Sequence, residues 1–191
     1  MKCLMCESLS LKHICPSCQE LFLQASLYKR KLPNGVTVIS FYKYQEIKEL
    51  LFTKHTDLGF HIYNILADLS LKKFAQEFEF EEKIVSIPVD DAITNGYSHT
   101  AILNKKLQSK YIQPLYNKLR AKNSISYSGK SKAFRFLNPR NFQVKNFQQS
   151  QLILVDDIIT TGLTLTQAIE VLKQNKKEVL FCLTLADVNF K

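Results

Sequence analysis

The sequence predicts an α/β chain: a parallel sheet flanked by helices, preceded by a small four-cysteine module. Three observations predict it. Short apolar runs rich in β-branched residues, Ile84-Val85-Ser86-Ile87-Pro88-Val89, Leu152-Ile153-Leu154-Val155 and Val179-Leu180-Phe181-Cys182-Leu183, read as strands buried on both faces. Helical patterns separate them, and alternating β and α segments argue for a parallel sheet. Two Cys-x-x-Cys pairs lie ahead of all of this.

The pairs come first in the chain. Cys3-x₂-Cys6 and Cys15-x₂-Cys18 are eight residues apart. Four thiolates suit one tetrahedral Zn²⁺ in a closed structural site, and the short intervening loop would make a compact knuckle. Structural zinc contributes on the order of 10–16 kcal/mol in small modules. That is ample for a segment too short to bury a core of its own. Thioredoxin-like redox chemistry needs one such pair inside a βα unit, and none precedes these. A four-cysteine iron–sulfur site has compatible spacing. His13 lies between the pairs and reads as a spectator, and Cys182 as a buried strand residue. Residues 1–32 are therefore expected to form the Cys₄ module, and residues 33–191 the α/β domain.

Lys31-Leu32-Pro33-Asn34-Gly35 is turn chemistry, after which Val36 to Tyr42 alternates like a strand. Gln45–Lys54 and Leu58–Phe78 are predicted helices, with His55 and His61 structural or exposed. The strand Ile84–Val89 leads into a loop, Asp90 to Gly96, then a helix over about Tyr97–Lys110 and a strand over Ile112–Leu119. An irregular basic stretch, Arg120 to Gln151, follows; its residues 120–150 are expected to cover the domain, because long loops in compact domains tend to be functional covers or disordered. Parallel sheets bind ligands at strand carboxyl ends, so the Asp90–Gly96 loop should lie beside the loop after Val155.

That second loop carries the most specific chemistry. Leu152 to Val155 reads as a strand ending in Asp156 and Asp157. Thr160-Thr161-Gly162-Leu163-Thr164 then turns into a helix with Leu165, Ala168, Ile169 and Leu172 on one face. A strand, a turn and a helix N-terminus present free amides and a positive helix end to an anion. Gly162 lets the backbone come close, and Thr160, Thr161 and Thr164 add hydroxyls. The carboxylates repel phosphate, so they must face sugar hydroxyls or a phosphate-bound Mg²⁺. An ordinary capped helix is the plain alternative. A Walker-B-like Mg²⁺ strand is another, but no GxxxxGK[ST] partner exists in the chain.

At 191 residues with 46% hydrophobic content, the chain holds one ordinary domain and a small appendage. No apolar run approaches the ~20 residues of a membrane helix, and no signal-peptide core is evident, so a cytoplasmic protein that is not integral to a membrane is expected. The net charge of +9 is local: residues 92–155 contain no acid and eleven Lys and Arg, leaving −2 for the rest. Eight aromatics are interleaved there: Tyr97, Tyr111, Tyr116, Tyr127, Phe134, Phe136, Phe142 and Phe147. Cations and rings together are the components of a surface for single-stranded nucleic acid, with Lys130, Lys132, Arg135 and Arg140 as candidate contacts. A solvated basic face over core aromatics has the same composition.

The Asp156-Asp157-x₂-Thr160-Thr161-Gly162-x-Thr164 segment resembles the phosphoribosyl-pyrophosphate (PRPP) signature of type I phosphoribosyltransferases. The resemblance implies that Asp156 and Asp157 hold the ribose hydroxyls, that they are the catalytic carboxylates if the chain is an enzyme, and that Thr160, Thr161, Gly162 and Thr164 cradle the 5′-phosphate. Together with both Cys pairs, Ile87-Pro88-Val89, Asn95-Gly96-Tyr97-Ser98-His99 and Arg135-Phe136-Leu137-Asn138, it makes the chain similar to the ComF competence-protein family from Cys3 to about Leu185. That family joins a Cys₄ module to a type I phosphoribosyltransferase-like domain. The likeness implies a DNA-handling role in natural transformation, with Zn²⁺, PRPP and Mg²⁺ as ligands. Implied partners are single-stranded DNA and a DNA-uptake helicase or inner-membrane DNA channel. Asn95 stands where the family has Arg, and no Lys or Arg occurs between Val89 and Lys105. An active transferase acting on an unidentified acceptor is the alternative. A PRPP-responsive regulator of a specific duplex ranks lower, because no helix-turn-helix pattern is present.

Overall fold

The computed structural model describes residues 1–123 and 140–190. Lys130, Lys132 and Arg135, with Tyr127, Phe134 and Phe136, lie outside the described residues. After helix α1 (Pro16–Phe22), a hairpin of β1 (Tyr28–Lys31) and β2 (Thr37–Lys43) leads into α2 (Tyr44–Leu51) and a 3₁₀ turn, Phe52–His55. Next come α3 (Asp57–Leu69), α4 (Leu71–Glu77), β3 (Ile84–Pro88), α5 (His99–Lys105) and β4 (Ile112–Pro114). A small antiparallel pair, β5 (Leu119–Ala121) with β6 (Phe142–Val144), precedes β7 (Gln151–Ile159), α6 (Leu163–Gln174) and β8 (Glu178–Asp187).

The main sheet has the order β1-β2-β8-β7-β3-β4, and every pairing except β1–β2 is parallel. The expected α/β class, a parallel sheet flanked by helices behind a Cys₄ segment, is therefore the observed one. From β3 the chain moves outward to β4; from β7 it moves the other way, to β8. The carboxyl ends of β3 and β7 thus flank a topological switch point, where open α/β sheets bind ligands. Leu152, Ile153, Leu154 and Val155 are all fully buried, because helices cover both faces of the centre. On one face Leu165, Ala168, Ile169 and Leu172 of α6 pack with Leu152 and Leu154; on the other, α3 and α5 pack with Ile153 and Val155.

Several boundaries differ from expectation, each for a local reason. The region Leu58–Phe78 is two helices, broken at Ser70 (φ −123°, ψ −84°), whose hydroxyl donates to the Leu66 carbonyl at 2.6 Å. The helix expected from Tyr97 starts at His99, because Thr94 and Tyr97 bridge each other and Ser98 caps the first turn through the Ala101 amide. The strand expected over Ile112–Leu119 is two strands, separated at Asn117 (φ 56°). Asp156 and Asp157 were expected where β7 ends, yet β7 runs on to Ile159, since β8 pairs with it as far as Asp187.

Candidate functional site

Side chains alternate across a strand, so consecutive carboxylates on β7 point to opposite faces. Asp156 lines a small cleft with Thr160, Gly162, Leu163 and Thr164, at the N-terminus of α6. Gly162 occupies the N-cap with φ 80°, in the left-handed region that glycine tolerates. The Thr166 amide and hydroxyl both donate to the Gly162 carbonyl, at 2.9 and 3.0 Å, closing the first helical turn. The first amides of α6 remain the natural donors for an anion. Thr161 is exposed, and its hydroxyl accepts from the Leu163 amide at 3.4 Å. The sequence motif and the cleft therefore coincide at Asp156, Thr160, Gly162 and Thr164.

Asp157 faces away from that cleft. Its Oδ2 meets Lys54 Nζ at 3.2 Å, His99 Nε2 at 3.4 Å and the Tyr63 hydroxyl at 3.4 Å. None of these three was singled out by the sequence motif. Lys54 and Tyr63 carry no local signal, being 103 and 94 residues away. His99 had one usable signal, its place at a helix start just after the carboxyl-end loop of β3.

The two carboxyls titrate in opposite directions. Burial works to raise both, and at Asp156 it wins: the neighbouring Asp157 charge adds to it, so Asp156 holds its proton well above the usual carboxylate range. At Asp157, burial is overcome by the charges of Lys54 and His99 and by hydrogen bonds, which keep the group ionised to unusually low pH. Burial pushes the His99 imidazole down, against the opposing pull of Asp157, favouring its neutral form.

The loop after β3 lies on the same edge. Asp90 has φ 49°; its carboxylate accepts from the Ala121 amide at 3.3 Å and from Arg140 Nη1 at 3.4 Å. Asp91 accepts from the Asn117 amide at 2.6 Å, and its other oxygen sits 3.3 Å from Arg120 Nε. Asn95 donates to the His55 carbonyl, and the Tyr97 hydroxyl to the Lys54 carbonyl at 2.6 Å, docking this loop on the 3₁₀ turn. Arg140, the one candidate nucleic-acid contact among the described residues, is thus an ion-pair partner of Asp90. Phe142 and Phe147 are buried in the core.

The four cysteines converge. Sγ atoms of Cys3, Cys6, Cys15 and Cys18 all lie within 4.8 Å of one another, with Cys6 and Cys15 at 3.7 Å. A tetrahedral ion with metal–sulfur bonds of ~2.3 Å sets neighbouring sulfurs about 3.8 Å apart, so this cluster could hold one. The Cys15 amide approaches Cys3 Sγ at 3.3 Å and the Cys18 amide Cys15 Sγ at 3.5 Å. The Cys3 thiol is lowered to about 6, first by that Cys15 amide, while burial pushes the Cys18 thiol up. His13 is not in the cluster; its ring lies 4.3 Å from that of His61. These rings line a larger groove of about 490 Å³ between the Cys segment and α3, which shares no residue with the Asp156 cleft. No helix among the described residues is long and apolar enough to cross a membrane.

No family model matches the sequence, and no curated protein does either. Among solved structures the chain is similar to orotate phosphoribosyltransferase from Aeropyrum pernix, at 20% identity, over 90% of this chain and 80% of that one, with a TM-score of 0.40. It is also similar to adenine phosphoribosyltransferase from Saccharomyces cerevisiae, at 19% identity, over 91% of this chain and 89% of that one, with a TM-score of 0.43. A hypoxanthine phosphoribosyltransferase from Staphylococcus aureus gives 16% identity over 65% and 62% of the two chains, with a TM-score of 0.39. Likenesses this distant carry neither ligand nor activity across to this chain.

Proposed function

We propose that the chain binds PRPP with Mg²⁺ at the Asp156–Thr164 cleft and serves as a cytoplasmic DNA-handling protein of natural transformation. The observation that carries the ligand assignment is one cleft lined by the buried Asp156 and by Thr160, Gly162 and Thr164 at a helix N-terminus. Amides and hydroxyls there suit the 5′-phosphate, and Asp156 suits a ribose hydroxyl or a phosphate-bound cation. Asp157 supports Asp156 from the opposite face. Zn²⁺ is the ion assigned to Cys3, Cys6, Cys15 and Cys18, in a module of residues 1–32 attached to the domain of residues 33–191. The DNA-handling role rests on the sequence resemblance and on the acid-free basic segment. Single-stranded DNA is its proposed partner, alongside a DNA-uptake helicase or inner-membrane channel.

Two titrations test this reading on the zinc-loaded chain. Calorimetry with PRPP·Mg²⁺ should show saturable binding that weakens about 10–100-fold in Asp156→Asn. Anisotropy of a labelled single strand should show affinity that falls steeply with salt and weakens for all sequences alike in an Arg135→Ala, Arg140→Ala variant. Absence of PRPP binding removes the ligand assignment; unchanged strand affinity in the variant removes the nucleic-acid surface.

One observation favours the alternative, an active phosphoribosyltransferase. His99, favoured in its neutral form by burial and held by Asp157, would supply an acid–base group on the face of β7 opposite Asp156. Pyrophosphate release with an acceptor, lost in His99→Gln but with PRPP binding retained, would establish that reading.

A further inference from the structure

The strand leading out of the cysteine segment has no part in the cleft, yet it reaches the loop behind it. Arg30, on β1, donates from Nη2 to the Thr160 carbonyl at 2.7 Å, while its Nε lies 2.9 Å from Asp187 Oδ2. Asp187 is fully buried at the end of β8, and its other oxygen accepts from the Asn189 amide at 2.8 Å. Leu32, two residues beyond Arg30, packs directly beneath the turn: a Cβ built on Gly162 would come within 2.5 Å of its Cδ2. One planar guanidinium thus pairs with a buried carboxylate on β8 and donates a hydrogen bond to a backbone carbonyl of the Thr160–Thr164 turn.

From this we infer that Arg30 is a positioning residue for the anion-binding turn, acting through the Thr160–Thr161 peptide. A trans peptide is planar, with its C=O and N–H opposed. Gripping the Thr160 oxygen therefore fixes the direction of the Thr161 N–H. An anion cradle depends on such control, because a peptide that turns over replaces a donor with a carbonyl dipole that repels phosphate. Asp187 keeps the guanidinium aimed, and Leu32 keeps the turn from settling away from the cleft. The first fifth of the chain, which contributes no side chain to the cleft, thereby sets the shape of the phosphate subsite. This inference rests on the proposed reading of the turn as a phosphate cradle.

The test is calorimetry with PRPP·Mg²⁺ on the full, zinc-loaded chain, comparing wild type with Arg30→Ala, Arg30→Lys, Lys31→Ala and Asp156→Asn. Melting temperature and metal content are followed in each. Arg30→Ala should lose about tenfold or more in affinity, the loss expected for removing a charge-assisted contact. Arg30→Lys should fall between it and wild type, and Lys31→Ala, on the other face of β1, should leave affinity unchanged. Millimolar guanidinium should recover binding in Arg30→Ala and give no gain in wild type or Asp156→Asn. Wild-type affinity in Arg30→Ala, or an equal loss in Lys31→Ala without guanidinium rescue, overturns the positioning role while leaving the ligand assignment intact. A wild-type chain that binds no PRPP·Mg²⁺ overturns the ligand assignment, and the positioning role with it.

Discussion

Two loops share the carboxyl edge of the sheet and treat charge in opposite ways. The turn after β7, Thr160 to Thr164, has no ionisable side chain; it offers amides, hydroxyls and a helix end, with the nearest acid, Asp156, biased toward its protonated form. The loop after β3 carries Asp90 and Asp91, and both are already engaged, with Arg140 and the Ala121 amide, and with Arg120 and the Asn117 amide. One loop is arranged to receive negative charge, and the other has supplied its own. The contrast also revises the meaning of the acid-free window. Arg120 and Arg140 pair with acids just before its first residue, and Lys106 pairs with Asp68 at 3.0 Å. A charge count along a window overstates the positive potential that folding leaves for a polyanion.

The largest effect should come from the residue that anchors this edge. Asp157→Ala leaves the mostly buried Lys54 without its carboxylate and frees Tyr63 and His99. Removing one partner of a buried ion pair costs about 3–5 kcal/mol, so urea unfolding should shift by that amount. The pH signature has a definite sign. Because Asp157 is depressed in the fold, its stabilisation is fully present above the ordinary carboxylate value of about 4 and is lost progressively as pH falls below it. A wild-type chain whose acid unfolding matches that of Asp157→Asn would show that the three contacts contribute nothing.

Asp156→Asn should do the reverse. Its elevated pKa means the ionised form disfavours folding, so wild-type stability should rise as pH falls from that elevated value toward about 4, and the amide should remove this trend. PRPP·Mg²⁺ affinity should fall about 10–100-fold, the range for losing hydrogen bonds to a charged group. Equal loss of affinity in Asp156→Asn and Asp157→Asn, with equal stability, would erase the distinction between the two faces of β7.

The sequence made visible what is encoded locally. Four cysteines at CxxC spacing, the buried run Leu152–Val155 and the Thr-Thr-Gly turn each lie within a few residues, and each has one geometry that suits it. Helix and strand ends were less legible because distant pairing sets them: β7 extends past Val155 only because β8 accompanies it to Asp187. The contacts of Asp157 and Thr160 were the least legible, His99 alone carrying a signal through its place at a helix start. Lys54, Tyr63, His99 and Arg30 reach them across 58 to 130 residues, on elements whose neighbourhood only the sheet order defines.

The smallest expected effect probes the acidic loop directly. In an Asp90→Asn, Asp91→Asn variant, both side chains keep an oxygen for the Ala121 and Asn117 amides, so the loop should retain its path. What changes is the charge facing Arg140 and Arg120. These side chains are partly exposed, so each pair is worth only ~0.2–1 kcal/mol and the melting temperature should move little. With the carboxylates facing Arg120 and Arg140 neutralised, affinity for single-stranded DNA should rise a few-fold at low salt and its salt dependence steepen, since each phosphate contact adds close to one unit of slope. PRPP·Mg²⁺ binding should strengthen by a similar factor if the two loops share one ligand. A gain for DNA with none for PRPP would separate the loops into two sites; a loss for both would mean that the acids of the β3 loop, not its arginines, are what the ligand meets.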